Sequence, residues 1–181
     1  MGLAMLSPDA DEILANAGFD ALMWALARPG TVQALPAAGF TAIIASLIDR
    51  ECTFFTTQDD LSAQLAATGA KPARLGEADY VFAKLAAPHE IAPLARLKQG
   101  NLLYPDDSAT LIVPARLGEG SRLQLSGPGI DGAAHVSIGG IDRSFWSLRE
   151  TLVRYPLGFD LYAVDGMEVI GIPRSTKVEV L

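Results

Sequence analysis

The stretch Phe159–Ile172, FDLYAVDGMEVIGI, carries the clearest structural signal in the chain. Aliphatic and aromatic residues fill both of its halves, and the dipeptide Asp165-Gly166 stands between them. Asp-Gly is typical of the two-residue type I′ turn, because both central residues of that turn need positive φ. The stretch therefore predicts a β-hairpin in which strands Phe159–Val164 and Met167–Ile172 are joined at Asp165-Gly166.

Helical and extended patterns alternate along the rest of the chain. Apolar residues recur at helical spacing from Ile13 to Leu26, and this pattern ends at Arg28-Pro29-Gly30, where proline disfavours helix before it. Further helices are predicted over residues 41–50, 59–67, 89–98 and 142–153, and further strands over residues 52–56, 80–83, 109–113 and 122–126. The alternation predicts a single α/β domain over residues 1–181, layered α/β/α around a mixed sheet.

Acidic and hydroxyl residues mark two helix starts. Thr57 followed by Asp60 has the form of a capping box that opens the helix at residue 59. Asp142 is expected to cap the helix that follows it. The adjacent acids Asp59 and Asp60 are explained by favourable charge at a helix N-terminus, so they are not expected to act as paired catalytic carboxylates.

The charge balance excludes one class of partner. The 181 residues carry 14 Lys+Arg against 21 Asp+Glu, a net charge of -7, and an acidic surface repels nucleic acid. The N-terminal stretch MGLAMLSPDADEI lacks the positive charge of a secretory signal. The longest apolar run, Ala42–Ile48, is far shorter than the roughly 20 residues of a membrane helix. We therefore expect a cytoplasmic protein that binds neither nucleic acid nor a membrane.

Few residues suit metal or thiol chemistry. Cys52 is the one cysteine of the sequence, which excludes an internal disulfide and a cysteine-held iron–sulfur cluster. Its flanks, Glu51 and Thr53-Phe54-Phe55, predict a small buried residue at the start of a strand. His89, expected in a first helical turn, and His135, expected in a loop, have no second histidine at metal-ligand spacing. We expect both to be structural, with no metal and no cofactor bound.

The stretch Gly127–Gly132, GPGIDG, matches the dinucleotide-binding pattern G-x-G-x-x-G. That pattern functions when a helix follows the glycines and directs its N-terminus at the pyrophosphate. Here residues 133–140, AAHVSIGG, have weak helical character, and Pro128 removes one backbone donor from the turn. A glycine-rich connection is therefore the expected role, and Gly127 and Gly129 remain candidate contacts for an anion.

The remaining candidate binding residues lie near the C-terminus. Asp160 stands just inside a predicted strand, where an ionised carboxylate normally needs a partner. Arg174, Ser175 and Thr176 follow the next strand and offer a guanidinium and two hydroxyls, a set that suits a phosphate or a carboxylate. We expect these residues to contact an anion or a partner subunit, and an internal Asp160–Arg174 ion pair is the structural alternative.

Three blocks of sequence together resemble the PhnH subunit of the bacterial carbon–phosphorus lyase system. They are FDALMWALARPGTV at residues 19–32, LQLSGPGI at 123–130, and PLGFDL at 156–161 with IPRSTKVEV at 172–180. The family commonly has threonine at the position of Ser175 and arginine at the position of Asp20. The second departure removes the expectation of an anion site on the first helix.

The resemblance implies both an architecture and a role. The implied fold is like the large domain of pyridoxal-phosphate-dependent transferases but without the cofactor, and the isolated chain is implied to be a homodimer. The implied partners are PhnG, PhnI and PhnJ, in a complex that forms ribose 1-phosphonate 5-triphosphate from a nucleoside triphosphate and an alkylphosphonate. The resemblance supplies no catalytic residue, so an accessory subunit is expected. A self-sufficient enzyme or a binding module for a nucleotide or phosphorylated sugar is the alternative.

Overall fold

A computed structural model describes residues 7–181. Residues 1–6, part of the segment in which no secretory signal is expected, lie outside the described residues. The helices are α1 (Ala10–Ala27), α2 (Thr41–Leu47), α3 (Asp59–Ala67), α4 (Pro88–Ile91), the 3-10 helix Ala92–Arg96 and α5 (Ser144–Leu152). The strands are β1 (Gln33–Ala34), β2 (Thr53–Thr56), β3 (Lys71–Pro72), β4 (Tyr80–Phe82), β5 (Thr110–Pro114), β6 (Arg116–Ser126), β7 (Ala134–Gly139), β8 (Asp160–Asp165), β9 (Glu168–Ile172) and β10 (Lys177–Val180).

The main sheet has seven strands in the order β1-β9-β8-β5-β4-β2-β3. Five consecutive strands of this sheet pair in parallel with one another: β8, β5, β4, β2 and β3. At the other side of β8, strands β9 and β1 pair in antiparallel fashion. The expected α/β fold with a mixed sheet is therefore confirmed.

Alternation along the strands divides the core between the two faces of this sheet. Tyr162 of β8 belongs to a buried cluster with α1, α2 and α3, whereas its neighbour Leu161 belongs to a second cluster on the opposite face. This second cluster includes buried side chains of the 3-10 helix, α5 and strand β6. Helices thus cover the first face, and helices together with a second, smaller sheet cover the other.

The smaller sheet is a feature that local sequence patterns did not predict. Strands β10, β6 and β7 form it, all in antiparallel pairs. Strand β6 is longer than expected and carries a register shift between Leu117 and Ser121. The expectation of a loop around His135 is wrong, because His135 lies in β7 and faces Gln124 of β6 across the ladder. Glycines and short polar residues weaken the strand signal in both segments.

Three local expectations about turns and helix starts need correction. The hairpin ladder closes with Asp165 opposite Glu168, so its two-residue loop is Gly166-Met167. Only Gly166 of these two has positive φ, at 57°, which matches the first central position of a type II′ turn instead of the expected type I′. Helix α3 makes no side-chain hydrogen bond at its N-cap, Gln58, so the capping box from Thr57 does not form.

The boundaries of two other predicted helices also differ. The region 89–98 folds as the single turn α4 and the 3-10 helix, because Pro93 lacks the N–H that a continuous α-helix would use. Helix α5 begins at Ser144, and the side chain of Asp142 accepts hydrogen bonds from the Ser144 backbone N–H at 2.9 Å and its hydroxyl at 2.7 Å. These bonds lower the pKa of the Asp142 carboxyl. The N-cap residue of α5 is Arg143, and not Asp142 as expected. Asp142 lies one residue before this N-cap and still stabilises the start of the helix through its bonds to Ser144.

Helix α1 packs directly onto the C-terminal hairpin. The hydroxyl of Tyr162 donates to the carbonyl of Leu22 at 3.1 Å. A Cβ atom added to Gly171 of β9 would lie 2.6 Å from the carbonyl of Ala25. Burial raises the pKa of Tyr162 well above its ordinary value, so the hydroxyl stays protonated and remains a donor. The helix thus rests on the strand backbone at a distance that only glycine permits.

Asp79, just before β4, links the start of β2 to the segment that follows the 3-10 helix. Its carboxylate accepts from the backbone and hydroxyl of Thr53 at 3.0 and 2.6 Å, and from the ammonium of Lys98 at 2.9 Å. Burial alone would raise the pKa of Asp79, but these hydrogen bonds and the ion pair outweigh it and hold the pKa below its ordinary value.

We expect Asp79→Asn to lower the free energy of unfolding at neutral pH by about 1 to 2 kcal/mol, since part of the side chain is exposed. A lowered native pKa gives stability that is present above the unfolded pKa and is lost as pH falls through the native one. The deficit should therefore begin to shrink near the unfolded pKa, at about pH 4, and should vanish only when the pH lies below the native pKa. Urea unfolding across pH measures it, with exposed Asp131→Asn as control. A deficit that persists in acid would contradict the assignment.

Candidate functional site

The sequence-predicted residues Asp160 and Arg174 form an internal ion pair. Asp160 opens β8, and Arg174 lies in the turn after β9. Arg174 donates from its backbone N–H and Nε to Oδ1 at 2.8 and 3.2 Å, and from a terminal nitrogen to Oδ2 at 2.6 Å. Another terminal nitrogen of Arg174 donates to the carbonyl of Pro105. The structural alternative is therefore present, and the expected contact of this pair with an anion or partner stays a prediction.

The other predicted residues lie around the same turn. Thr176 is buried, with 2% of its surface exposed, and its backbone N–H donates to the carbonyl of Pro173 at 2.9 Å. A Cβ on Gly127 would lie 2.8 Å from the carbonyl of Ser175. A Cβ on Gly129 would lie 2.2 Å from the carbonyl of Ala27, at the end of α1. The structure thus brings Gly127 to the turn, whereas Gly129 serves the contact with α1.

The glycine stretch does not have the architecture of a dinucleotide site. Strand β7 follows it instead of a helix, so no helix N-terminus faces the glycines. Both Gly127 and Gly129 have positive φ, at 136° and 82°, and each is approached closely by a neighbouring backbone. The glycine-rich connection expected from the sequence is confirmed.

An open groove of about 720 Å³ lies beside helix α5. Side chains from residues 143–155 line one side, and residues 174–180 line the other. Arg174, Ser175 and Thr176 of the predicted set therefore border one groove, together with α5 residues that the sequence reasoning did not select. One wall of the groove is positioned by the C-terminal hairpin, by the turn at 173–176 and by β10. The other wall is positioned by α5, whose apolar face packs into the core.

Arg149 of α5 is the most unusual residue of this groove. It is only 3% exposed, and it donates to the carbonyls of Thr176 at 3.2 Å and Pro173 at 2.9 Å. No carboxylate among residues 7–181 forms a salt bridge with it. Burial lowers the pKa of Arg149 to about 10, against an opposing effect of Asp160. The guanidinium therefore remains charged at neutral pH inside the protein.

Three buried polar atoms at the groove have no hydrogen-bond partner in the described part of the chain. They are Nε of Arg149, Nε1 of Trp146 and the hydroxyl of Thr176. Each belongs to a residue that lines the groove and is at most 3% exposed. Buried polar groups are nearly always paired, so a cluster of three needs an explanation.

Other charges at the groove are exposed or neutralised. Arg143 is exposed at the start of α5, whereas Lys177 pairs with Glu179 at 2.6 Å. Glu150 also lines the groove and is exposed. The one buried and unneutralised charge is therefore that of Arg149, which makes the inner part of the groove suited to an anion.

The sequence contained a signal for Arg149 that was not used. Arg149 follows Phe145 by four residues, so the two lie on the same face of a helix. Phe145 is a large apolar residue, and it is fully buried in the core. A cation at this helical position is predicted to be buried as well. Such a residue rarely enters a core without a partner.

Residues 7–181 contain no group of three or more histidine, cysteine or acidic side chains that could hold a metal ion. Among the same residues, no helix has the length and apolar character needed to cross a membrane. Cys52 is half-buried beside β2, where its thiol contacts the carboxylate of Asp49 at 3.3 Å. Burial raises the pKa of this thiol, which keeps it protonated and unreactive.

The fold and the groove together define an α/β protein with a buried, unneutralised guanidinium suited to anionic groups. Comparison with known proteins gives the family. The family model described as "Bacterial phosphonate metabolism protein (PhnH)" matches residues 10–179. A putative C-P lyase subunit protein, HtxG, from Stutzerimonas stutzeri is 33% identical over 166 residues, which cover 88% of this chain and 83% of that protein. The chain belongs to the PhnH family.

Proposed function

We propose that this chain is a subunit of a carbon–phosphorus lyase core complex in organophosphonate catabolism. The family match over residues 10–179 and the name of the relative HtxG support this role. In the proposed complex the chain associates with PhnG, PhnI and PhnJ in the cytoplasm. It supports formation of ribose 1-phosphonate 5-triphosphate from a nucleoside triphosphate and an alkylphosphonate, and other subunits supply the catalytic groups.

Helix α1 is the structural observation that best supports a subunit role. One side of the helix is buried through Leu22 and its neighbours Ala21 and Ala25. The opposite side exposes four large apolar residues, Ile13 at 56%, Phe19 at 54%, Met23 at 43% and Trp24 at 38%. Large apolar side chains that are exposed together, here beside the polar residues Asn16 and Asp20, are typical of a surface that contacts another chain. We therefore propose that the exposed face of α1 contacts another protein chain.

The isolated chain offers this same face to a second copy of itself. A twofold interface uses one patch on both copies, so α1 would pack against its symmetry mate. We propose a homodimer of this kind for the purified chain. Large apolar side chains that are exposed together mark such surfaces, whereas single exposed apolar residues do not.

We expect Phe19→Ser with Met23→Ser to weaken association by at least tenfold, because two large apolar side chains leave the interface. Sedimentation of the purified variant measures self-association, and co-purification with PhnG and PhnI measures assembly. Leu103→Ser is the matched control, since Leu103 is 83% exposed and lies outside α1. Equal association of both variants would contradict a role of α1 in contacts between chains.

The role in the reaction needs a separate experiment. PhnG, PhnI and PhnJ are mixed with adenosine triphosphate and methylphosphonate, with and without this chain, and release of adenine is measured. The accessory role predicts release that depends on the chain, and no release by the chain alone. Turnover by the chain alone would favour the alternative of a self-sufficient enzyme.

A binding module for a nucleotide or phosphorylated sugar is the second candidate function. The groove beside α5 favours it, because its volume of about 720 Å³ lies in the range of small-molecule sites. A module of this kind would bind ligand without any of the three partner subunits and without turnover. The two candidates are compatible in one chain if the groove acts within the complex.

The proposed role uses no pyridoxal phosphate, and the lysines agree with this. Lys71, Lys84 and Lys177 are exposed. Lys98 forms ion pairs with Asp79 and Asp107, which outweigh the effect of burial and raise its pKa. A Schiff base forms from a neutral amine, so this ion-paired lysine is a poor candidate for holding the cofactor.

A further inference from the structure

We propose that the groove beside α5 binds a phosphate or phosphonate group, held by Arg149, Trp146 and Thr176. The proposal stands on the three buried polar atoms of these residues that have no partner among the described residues. It does not depend on the assembly proposed above, because the complete site lies within one chain.

The chemistry of the three unpartnered atoms indicates what their partner is. Nε of a guanidinium and Nε1 of an indole can only donate hydrogen bonds, and a threonine hydroxyl can donate one. A ligand that satisfied all three would therefore be an acceptor with several oxygens. Because Arg149 also brings a positive charge, an oxyanion satisfies both requirements.

Arg149 uses only two of its five N–H groups in contacts within the chain. It uses one N–H on the carbonyl of Thr176 and one on the carbonyl of Pro173. Those two bonds hold the turn against α5 and give the residue a structural role. They do not neutralise its charge, and three of its five N–H groups, including the buried Nε–H, have no partner among the described residues.

Two of the carboxylates near Arg149 are already paired with other cations, and Glu150, which also lines the groove, forms no salt bridge with Arg149. Asp160 accepts three hydrogen bonds from Arg174, and Glu179 pairs with Lys177. A buried charge without a counter-ion is strongly unfavourable. A bound anion would remove this cost. We therefore propose that the negatively charged partner of Arg149 is a ligand and not a side chain of this protein.

The rest of the groove suits the organic part of such a ligand. The volume of about 720 Å³ is far larger than one phosphate group needs. Arg143, Ser147 and Ser175 offer further polar contacts along the walls, whereas Glu150 and Glu179 oppose a second negative group. One anionic group at Arg149, with its remaining atoms toward the open side, fits this distribution of charge.

Titration calorimetry on the purified full chain tests the proposal with three probes: inorganic phosphate, methylphosphonate and adenosine triphosphate. We expect at least one probe to bind with a Kd below about 1 mM. The order of the three affinities distinguishes a phosphonate from a free phosphate and from a nucleotide phosphate. Absence of saturable binding by all three probes would overturn the proposal.

Thr176→Val is the most informative variant. Valine has nearly the shape of threonine and keeps the backbone carbonyl that accepts from Arg149. Because the lost hydroxyl has no partner in the described chain, the melting temperature should be unchanged or higher. Affinity for the bound probe should nevertheless fall about 10- to 100-fold, as for a hydrogen bond to a charged group.

Ser108→Ala is the matched control, because the Ser108 hydroxyl is also buried without a partner but lies outside the groove. It should leave affinity unchanged. Arg149→Lys keeps a positive charge but removes the planar set of donors, and it should weaken binding at least tenfold. Wild-type affinity in both Thr176→Val and Arg149→Lys would overturn the proposal and leave only water at these three atoms.

Discussion

Replacing Arg174 with alanine is expected to lower the free energy of unfolding by about 3 kcal/mol. The change removes the two hydrogen bonds that the guanidinium donates to Asp160, together with its counter-charge, and leaves only the bond from the backbone N–H of residue 174. Breaking a buried ion pair from one side costs about 3 to 5 kcal/mol. The lower value is expected because the side chains of Arg174 and Asp160 keep 17% and 18% of their surface exposed. Urea unfolding of the purified variant measures the loss.

Lys177→Ala is the control for this prediction. It removes an ion pair of similar length, 2.6 Å, whose side chains are 70% and 49% exposed. Exposed pairs contribute about 0 to 1 kcal/mol, so this variant should unfold almost like the wild type. If Arg174→Ala also unfolds like the wild type but loses partners or ligand, the role of Arg174 lies in recognition instead of folding.

Gly171→Ala is expected to have an effect of similar size, about 3 kcal/mol or more. The added Cβ would lie 2.6 Å from the carbonyl carbon and oxygen of Ala25 and 2.8 Å from the backbone nitrogen of Leu26. These are backbone atoms of a helix, which cannot move aside as a flexible side chain does. Helix α1 must shift away from β9, and this separates the surfaces that bury Leu22.

Gly139→Ala provides the comparison, since Gly139 also lies in a strand and has no positive φ. Its added Cβ would meet the side chain of Glu119 at 3.3 Å, and that flexible group can move. We expect a change within about 1 kcal/mol. Thermal and urea unfolding of the two variants separate them. Equal stability would show that α1 does not rest on the strand backbone at Gly171.

Local sequence patterns predicted those parts of the fold in which neighbours along the chain determine the structure. The two strands of the C-terminal hairpin and the end of α1 before Pro29 are examples. The turn between the strands was placed one residue early, because the chain alone does not show which residues face each other across a ladder. Gly166 is compatible with both the expected loop, Asp165-Gly166, and the observed loop, Gly166-Met167, because each requires positive φ at residue 166.

The smaller sheet shows why long-range pairing is harder to predict. Strand β6 begins at Arg116 with polar residues and glycines, and it is stabilised by β7 and by β10. Such pairing depends on packing against neighbouring strands more than on intrinsic preference. The same reason applies to β7, whose small residues were interpreted as a loop.

The candidate site was predicted in part. Asp160 and Arg174 were recognised from their positions at strand ends, and their internal pairing was one of the two interpretations. Arg149 was missed because its charge alone favours an exposed position on α5. Its burial is evident only when α5 is placed against the turn that contains Thr176.

The outer edges of the main sheet have a consequence for solubility. Strand β1 at one edge and strand β3 at the other contain only two residues each, and Pro72 of β3 has no N–H to donate. An edge this short offers almost no unpaired backbone to a strand from another molecule. Growth of the main sheet from copy to copy through either of these edges is therefore disfavoured.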